Sequence, residues 1–215
     1  MVDRSPSSLV TIMSDKPLTV YLVRHPEVHP EWQGFCYGDT DVPLQAGWES
    51  TLAPLVDFLR RSPSEQKPTH VWHSELARSA KPAEWLAHHL SIGVRSDPRL
   101  RERHFGTWQP LRWTDISAAE LAQAHDMLVH PSSYRPGGGE TTDEVSLRVQ
   151  RWFEEAANAS GRVIVAVAHS GSITSLCGTL LQLAPIAWTP YYPKPSQTLV
   201  VHIDSAETSV THLFV

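Results

Sequence analysis

The stretch at residues 163–172 reads Val163-Ile164-Val165-Ala166-Val167-Ala168-His169-Ser170-Gly171-Ser172. Its six consecutive apolar residues predict a strand that is buried on both faces, as the parallel strands of an α/β sheet are. A histidine follows the strand directly, and small polar residues then open a segment with helical spacing. The stretch therefore predicts a central parallel strand that carries His169 at its carboxyl end.

A second apolar run that leads to a histidine lies near the start of the chain. It reads Thr19-Val20-Tyr21-Leu22-Val23-Arg24-His25. Ligands of open α/β sheets collect at the carboxyl ends of the strands. We therefore expect His25 and His169, although far apart in sequence, to meet at one site beside Arg24.

The remaining periodicities alternate between strand and helix. They predict strands at 18–24, 69–73, 94–96, 162–168, 197–203 and 209–214, helices at 47–61, 77–90, 117–128, 141–159 and 172–183, and a loop at 29–43. This order is typical of an α/β fold with three α/β/α layers, in which helices cover both faces of a mostly parallel central sheet. We expect a disordered tail at residues 1–16, one domain at 17–215, and a small cap insertion at about 103–139 lying over the site.

Bulk properties exclude several classes of protein. The chain has 215 residues and a net charge of −5, which is unlike a general nucleic-acid-binding surface. No apolar run is long enough to cross a bilayer, and residues 1–16 lack the apolar core of a signal peptide. Cys36 and Cys177 form neither a disulfide framework nor a metal-ligand spacing, so a reducing, cytoplasmic location is expected. A homodimer is left open.

Six motifs in order carry a resemblance to a known family. They are Arg24-His25, Asp41-Val42-Pro43-Leu44 with Gly47, His73-Ser74-Glu75-Leu76-Ala77-Arg78-Ser79-Ala80, Leu100-Arg101-Glu102-Arg103-His104-Phe105-Gly106-Thr107-Trp108, Gly138-Gly139-Glu140 with Arg148, and His169. Together they resemble the histidine phosphatase superfamily, which includes phosphoglycerate mutases and alpha-ribazole phosphatases.

The resemblance implies a role for each of five residues. His25 would be the phosphoryl acceptor, Arg24 and Arg78 would bind the phosphoryl oxygens, His169 would add a further contact, and Glu102 would donate the proton to the leaving group. The chemistry is consistent with these roles, because a nucleophilic imidazole must be neutral and a guanidinium binds phosphate oxygens bidentately. The resemblance implies no cofactor and no metal.

The substrate pocket is expected to include Glu31, Tyr37, Gly38 and Trp108. Glu31 stands where many members of the family carry asparagine, and its carboxylate would repel a second anionic group. Further aromatic residues, Trp32, Phe35 and Trp113, would either offer flat apolar surface to a ring or pack beneath the cap.

The sequence thus predicts a metal-independent phosphomonoesterase that acts on a small molecule through a phosphohistidine. The loop with Cys36-Tyr37-Gly38 resembles that of alpha-ribazole phosphatases, which makes alpha-ribazole phosphate the leading substrate. Two alternatives stay open at this point: a phosphoglycerate mutase, and a non-catalytic module that binds phosphorylated partners.

Overall fold

The computed structural model describes residues 17–159, 163–204 and 207–213, with the side chain of Glu65 left out. The expected tail at 1–16, the expected strand start at 162 and the expected strand end at 214 lie outside the described residues. Within the described part of the chain, no helix combines the length and the hydropathy that crossing a membrane requires.

Within the described residues, eight strands form two sheets. They are β1 (Leu18–Arg24), β2 (Phe35–Cys36), β3 (His70–His73), β4 (Gly93–Ser96), β5 (Leu111–Arg112), β6 (Val163–Ala168), β7 (Thr198–Ile203) and β8 (Thr208–Leu213). The central sheet has the order β4-β3-β6-β1-β7-β8, and the first four of these strands run parallel. β7 and β8 add antiparallel pairs at one edge, and β2 pairs with β5 in a separate ribbon. The predicted mostly parallel α/β fold is confirmed.

In the part of the chain that the structure describes, six α-helices accompany the strands: α1 (Glu49–Arg61), α2 (Ala77–Leu90), α3 (Ala118–Ala122), α4 (Asp126–Val129), α5 (Thr142–Ala159) and α6 (Ser170–Leu180). The single helix expected at 117–128 is wrong, because the chain forms α3 and α4 with a turn between them. Backbone hydrogen bonds there join residues three apart, such as Ala124 N to Leu121 O and Met127 N to Ala124 O. This tighter pattern interrupts an α-helix.

Side chains of the central strands alternate between two hydrophobic cores, as the pleat requires. Val20 and Leu22 of β1 belong to the core that also contains residues of α5 and α6. Tyr21 and Val23 belong to the opposite core with residues of α1 and α2. Each fully buried aliphatic side chain contributes about 1.5–3 kcal/mol to folding. The two cores hold the strand ends, and hence the site, in a fixed frame.

Helix α6 begins two residues before its predicted start and ends three residues before its predicted end. His169 is its N-cap, and Ser172 returns a side-chain contact to the backbone of His169. The helix ends where Gln182 adopts a left-handed φ of 55°. His169, which directly follows β6, is therefore also the N-cap of α6.

Candidate active site

His25 and His169 meet because β1 and β6 are parallel neighbours in register. Arg24 pairs with Ala168, so each histidine is the next residue after a strand end. The backbone N–H of His25 donates to the Ala168 carbonyl at 3.0 Å. The two imidazole rings lie edge to face with centroids 5.1 Å apart. The predicted meeting of the two histidines is present in the structure.

The tautomer of His25 follows from a single hydrogen bond. Its Nδ1 lies 2.7 Å from the carbonyl oxygen of Pro26, and because a carbonyl only accepts, Nδ1 carries the proton. Nε2 is then left with its lone pair. The side chain is buried, and this burial, together with the charge of Arg78, holds the pKa of His25 well below its usual value of 6.5. The imidazole is therefore neutral near pH 7.

His169 is fully buried beside His25. Its Nε2 lies 2.7 Å from Ser74 Oγ, whereas its buried Nδ1 has no hydrogen-bond partner among the described residues. Burial lowers the pKa of His169 well below its usual value, and the charge of Arg78 and the nearby His25 add to this effect. His169 is thus a second neutral imidazole with one nitrogen free for a ligand.

Two guanidinium groups border the histidine pair. Arg78 is fully buried on the first turn of α2, and it donates to the carbonyls of Thr40, at 2.6 Å, and Gly38. Arg24 donates to the Pro193 carbonyl at 2.9 Å. The Nε atoms of Arg24 and Arg78 are both buried and have no partner among the described residues. Each arginine is therefore held by backbone carbonyls and retains a donor for an anion.

Tyr37 links the two arginines. Its hydroxyl is hydrogen-bonded to Arg24, and the guanidinium carbon of Arg78 lies 4.9 Å from the centre of its ring. Burial raises the pKa of Tyr37, so the phenol keeps its proton. The next residue, Gly38, has φ of +44°, and a Cβ there would overlap the side chain of Gln109, so the loop needs glycine at this position.

The side chain of Glu102 lies next to the first residues of α6. One carboxylate oxygen accepts from the N–H of Arg103 at 2.8 Å, and the other accepts from Ser170 Oγ and Gly171 N at 3.1 Å each. Free N–H groups at a helix N-terminus favour an anion, and at α6 the Gly171 N–H donates to the Glu102 carboxylate. This contact fixes Glu102 at the edge of the histidine pair.

An open cleft of about 450 Å³ leads away from Arg24 and Glu102. Tyr37 and Gly38 line this cleft, as predicted for pocket residues. Cys36 also lines it, and burial raises the pKa of its thiol to about 12, which keeps the sulfur protonated.

The other two predicted pocket residues lie elsewhere. The Glu31 side chain is 81% exposed and lies near His29 on a surface turn, so it does not line the cleft. Trp108 is buried beneath the cleft wall, where its indole N–H donates to Glu120. The expected place of Glu31 in the pocket is wrong because its loop projects outward. The expected place of Trp108 is wrong because its ring fills a core.

Several residues near the histidine pair were not singled out from the sequence. Ser74 follows β3 directly, and it could have been found because β3 is the other parallel neighbour of β6. Tyr192 and Pro193 approach Arg24 from a C-terminal loop that carried no local signal.

A group of three or more His, Cys, Asp or Glu side chains that could hold a metal ion is not found among the described residues. The absence of a metal requirement stays a prediction, which activity after dialysis against EDTA would test.

Comparison with known proteins gives a consistent result. The sequence family described as the histidine phosphatase superfamily (branch 1) matches residues 20–214. A glucosyl-3-phosphoglycerate phosphatase of Mycobacterium tuberculosis (strain ATCC 25618 / H37Rv) is 32% identical over 173 residues, which are 71% of this chain and 75% of that one. A probable phosphoglycerate mutase of Photorhabdus laumondii is 32% identical over 169 residues, covering 77% of this chain and 76% of that one.

Solved structures agree on the fold. The alpha-ribazole phosphatase from Shigella flexneri superposes with a TM-score of 0.75 at 20% identity, covering 91% of this chain and 96% of that one. At this level of identity the likeness shows the fold alone. The family match and the curated relatives go further, and they support a phosphatase as the class of enzyme. The chain belongs to the histidine phosphatase superfamily.

Proposed function

We propose that this phosphatase hydrolyses phosphomonoesters of small molecules without a metal, through a phosphohistidine formed on His25. The observation that carries the proposal is the state of His25. Its imidazole is neutral, its Nε2 is unprotonated, and the positive charges of Arg78 and Arg24 act on it. An imidazole nucleophile requires this state, and a transferring phosphoryl group requires nearby fixed positive charge.

In the first step, His25 Nε2 attacks phosphorus and the bond between phosphorus and the ester oxygen breaks. Arg24, Arg78 and His169 stabilise the negative charge on the phosphoryl oxygens. Glu102, in its protonated form, gives its proton to the departing oxygen, so the leaving group departs as an alcohol. In the second step, water attacks the phosphohistidine, the Glu102 carboxylate takes a proton from that water, and inorganic phosphate leaves with His25 restored.

Alpha-ribazole phosphate is the leading substrate. The loop that carries Cys36, Tyr37 and Gly38 resembles that of alpha-ribazole phosphatases, and the loop lines the cleft. A phosphoglycerate mutase is the second candidate, favoured by the relative with that name. A mutase must protect its phosphohistidine from water, whereas this cleft is open. The non-catalytic binding module is set aside because the family relatives are enzymes.

Replacement of His25 tests the proposal. We expect His25→Ala to lose at least about three orders of magnitude in kcat on p-nitrophenyl phosphate, as nucleophile deletions do elsewhere. His88→Ala, an exposed histidine on α2, is the matched control and should keep its activity. Brief reaction of the wild type with radiolabelled substrate should place an acid-labile phosphoryl group on His25. Label on another residue, or an active His25→Ala enzyme, would contradict the mechanism.

A second assay separates the phosphatase from the mutase. The enzyme is incubated with 3-phosphoglycerate and 2,3-bisphosphoglycerate, and both 2-phosphoglycerate and inorganic phosphate are measured. We expect phosphate release to exceed isomerisation by about tenfold or more, because water reaches the phosphoenzyme. Isomerisation as the faster reaction would identify a mutase.

A further inference from the structure

We infer that the substrate's leaving group is an uncharged planar ring system, and that the cleft rejects leaving groups with a second anionic group. This inference rests on the proposed function, because it takes the histidine pair as the place where the phosphoryl group sits. It is carried by the side chains that line the cleft beyond that place.

Two groups of aromatic rings line the cleft. Phe35, Phe105 and Trp113 come from the segment around β2 and β5, and Trp188 and Tyr192 come from a C-terminal loop. The rings of Phe105 and Trp113 meet edge to face with centroids 6.0 Å apart. Edge-to-face and offset-stacked contacts with a further ring are the geometries that such side chains favour. A flat ring therefore finds aromatic partners in the cleft, whereas an aliphatic chain would leave the ring faces without an aromatic partner.

Trp113 and Tyr192 lie at the mouth of the cleft. They are exposed by 39% and 56% although both are large apolar side chains. The guanidinium of Arg24 lies 5.7 Å from the ring centre of Tyr192. The phosphate-binding arginine thus orients one ring of the cleft, which places the ring next to the position where a leaving group would begin.

The positive charges that line the cleft are already engaged. Arg24 belongs to the phosphoryl end, and the only other lining residue with a full positive charge among the described residues is Arg103. Arg103 donates to the Glu140 carbonyl and to Thr142 Oγ1, each at 3.0 Å, and its side chain is buried. Glu102, which lines the same space, adds no positive charge. A carboxylate or second phosphate on the leaving group would have to compete with Glu140 and Thr142 for Arg103, which is costly.

Three hydroxyl groups of the wall already donate within the protein. Thr142 Oγ1 donates to the Met127 carbonyl at 2.6 Å, and Thr174 Oγ1 donates to the Tyr191 carbonyl at 3.1 Å. Ser170 Oγ donates to Glu102. These three hydroxyls cannot donate to a sugar unless those bonds break, and an unpaired buried polar group costs about 1–3 kcal/mol.

These observations argue against the substrate in the name of the mycobacterial relative. That substrate is a phosphoglycerate, which carries a carboxylate, and it also carries a glucosyl group. A cleft of about 450 Å³ accepts a bicyclic aromatic group with room to spare. The inference does not depend on alpha-ribazole phosphate.

The experiment measures kcat/KM of the wild type for four alkyl esters, whose leaving groups are alike in basicity: 2-(1-naphthyl)ethyl phosphate, octyl phosphate, 3-phosphoglycerate and glucose 6-phosphate. We expect 2-(1-naphthyl)ethyl phosphate to exceed each of the others by about tenfold or more, the size of difference that a few lost apolar contacts or one unpaired charge produces. A value for octyl phosphate equal to that for 2-(1-naphthyl)ethyl phosphate would overturn the planar ring. 3-Phosphoglycerate or glucose 6-phosphate as the best substrate would overturn the whole inference.

Variants then test the named side chains. Trp113→Ala and Tyr192→Ala should each lower the ratio of kcat/KM for 2-(1-naphthyl)ethyl phosphate over propyl phosphate by about fivefold or more, because propyl phosphate carries no ring. Leu147→Ala removes an apolar side chain that is 49% exposed on α5, outside the cleft, and should leave the ratio as in the wild type. An unchanged ratio in both cleft variants would contradict the role of the aromatic rings.

A gain of function tests the charge rule. Met127→Lys adds a positive charge to the wall of the cleft. We expect kcat/KM for 3-phosphoglycerate, relative to 2-(1-naphthyl)ethyl phosphate, to rise by about tenfold, since the carboxylate then has a counter-charge. No rise would argue against electrostatic exclusion. His25→Ala is assayed in parallel, and full activity of this variant would overturn the proposed mechanism. An inactive His25→Ala enzyme together with an inverted substrate order in the wild type would overturn the specificity alone.

Discussion

Two neutral imidazoles lie beside two guanidinium groups, and at the scale of residues this is the property on which the site depends. Protonation of His25 or His169 would place a third positive charge in a buried space, so burial and Arg78 oppose it. The Pro26 carbonyl then decides which nitrogen of His25 keeps its lone pair. Charge and tautomer are thus set by different neighbours, and both are needed for nucleophilic attack.

The depressed pKa values predict how folding stability depends on pH. Above the unfolded-state pKa of about 6.5 both states carry neutral histidines, and there is no effect. Below it the unfolded chain binds protons that the folded chain does not, so stability falls as pH decreases, by about 1.4 kcal/mol per pH unit for each such histidine. Chemical denaturation of the wild type and of His169→Gln between pH 7 and 5 checks this, and the variant should show the smaller slope. Equal slopes would mean that His169 is protonated in the folded protein.

Arg78 is expected to resist replacement by lysine. Its guanidinium bonds the carbonyls of Gly38 and Thr40 and still has Nε available. Lysine offers one nitrogen and cannot reproduce this planar arrangement. Arg78→Lys should therefore lose at least about 100-fold in kcat/KM on p-nitrophenyl phosphate, equivalent to about 2.7 kcal/mol of transition-state stabilisation. Lys81, exposed on the same helix, provides the control as Lys81→Arg. Activity close to the wild type in Arg78→Lys would show that a point charge is enough.

At the scale of elements, contacts from two helices, α5 and α6, hold Glu102 in position. Arg148 of α5 donates to the backbone carbonyls of Arg99, Arg101 and Glu102, and it also binds the Glu140 carboxylate. The start of α6 holds the carboxylate itself. The backbone of Glu102 and its side chain are therefore fixed from opposite directions, which gives a proton donor a defined position relative to the histidine pair.

Gly171 provides the test of this placement. A Cβ at position 171 would overlap a carboxylate oxygen of Glu102, so Gly171→Ala must displace that group. If Glu102 is the proton donor, the variant should lose about tenfold more kcat on alkyl phosphates than on p-nitrophenyl phosphate, because nitrophenolate leaves without a proton. Glu102→Gln should show the same pattern. Equal losses on both substrates would contradict the role of Glu102.

At the scale of the whole molecule, the strand order brings the site together. β6 lies between β3 and β1, so Ser74, His25 and His169 follow the ends of three adjacent parallel strands. Residues of the segment at 103–139, among them Phe105, Trp113 and Met127, line the cleft. The acidic protein, with a net charge of −5, thus concentrates arginines at one edge of its sheet.

The same arrangement predicts catalysis without a metal. In the proposed mechanism, the arginines supply the positive charge that metal ions supply in other phosphatases, and His169 adds a hydrogen bond. Extensive dialysis against EDTA should leave kcat/KM on p-nitrophenyl phosphate within about twofold of the untreated enzyme, a difference below 0.5 kcal/mol. A large loss that zinc or magnesium restores would overturn the metal-free mechanism.

Much of the fold and of the site could be predicted from local sequence. Apolar runs ending in His25 and His169 identified two central strands, since burial on both faces leaves a continuous apolar pattern. The parallel pairing of those strands then required the two histidines to lie close together. The ordered motifs indicated Arg78 and Glu102 only through their resemblance to the histidine phosphatase superfamily.

Tertiary structure alone decided the rest. Glu31 points to solvent and Trp108 fills a small core, although both lie in segments beside the site. The occupant of the α6 N-terminus is Glu102, and part of the cleft lining comes from Trp188 and Tyr192. The physical reason is that a strand or helix is set by the burial pattern of its own residues, whereas the path of a loop depends on contacts with residues that are distant in sequence.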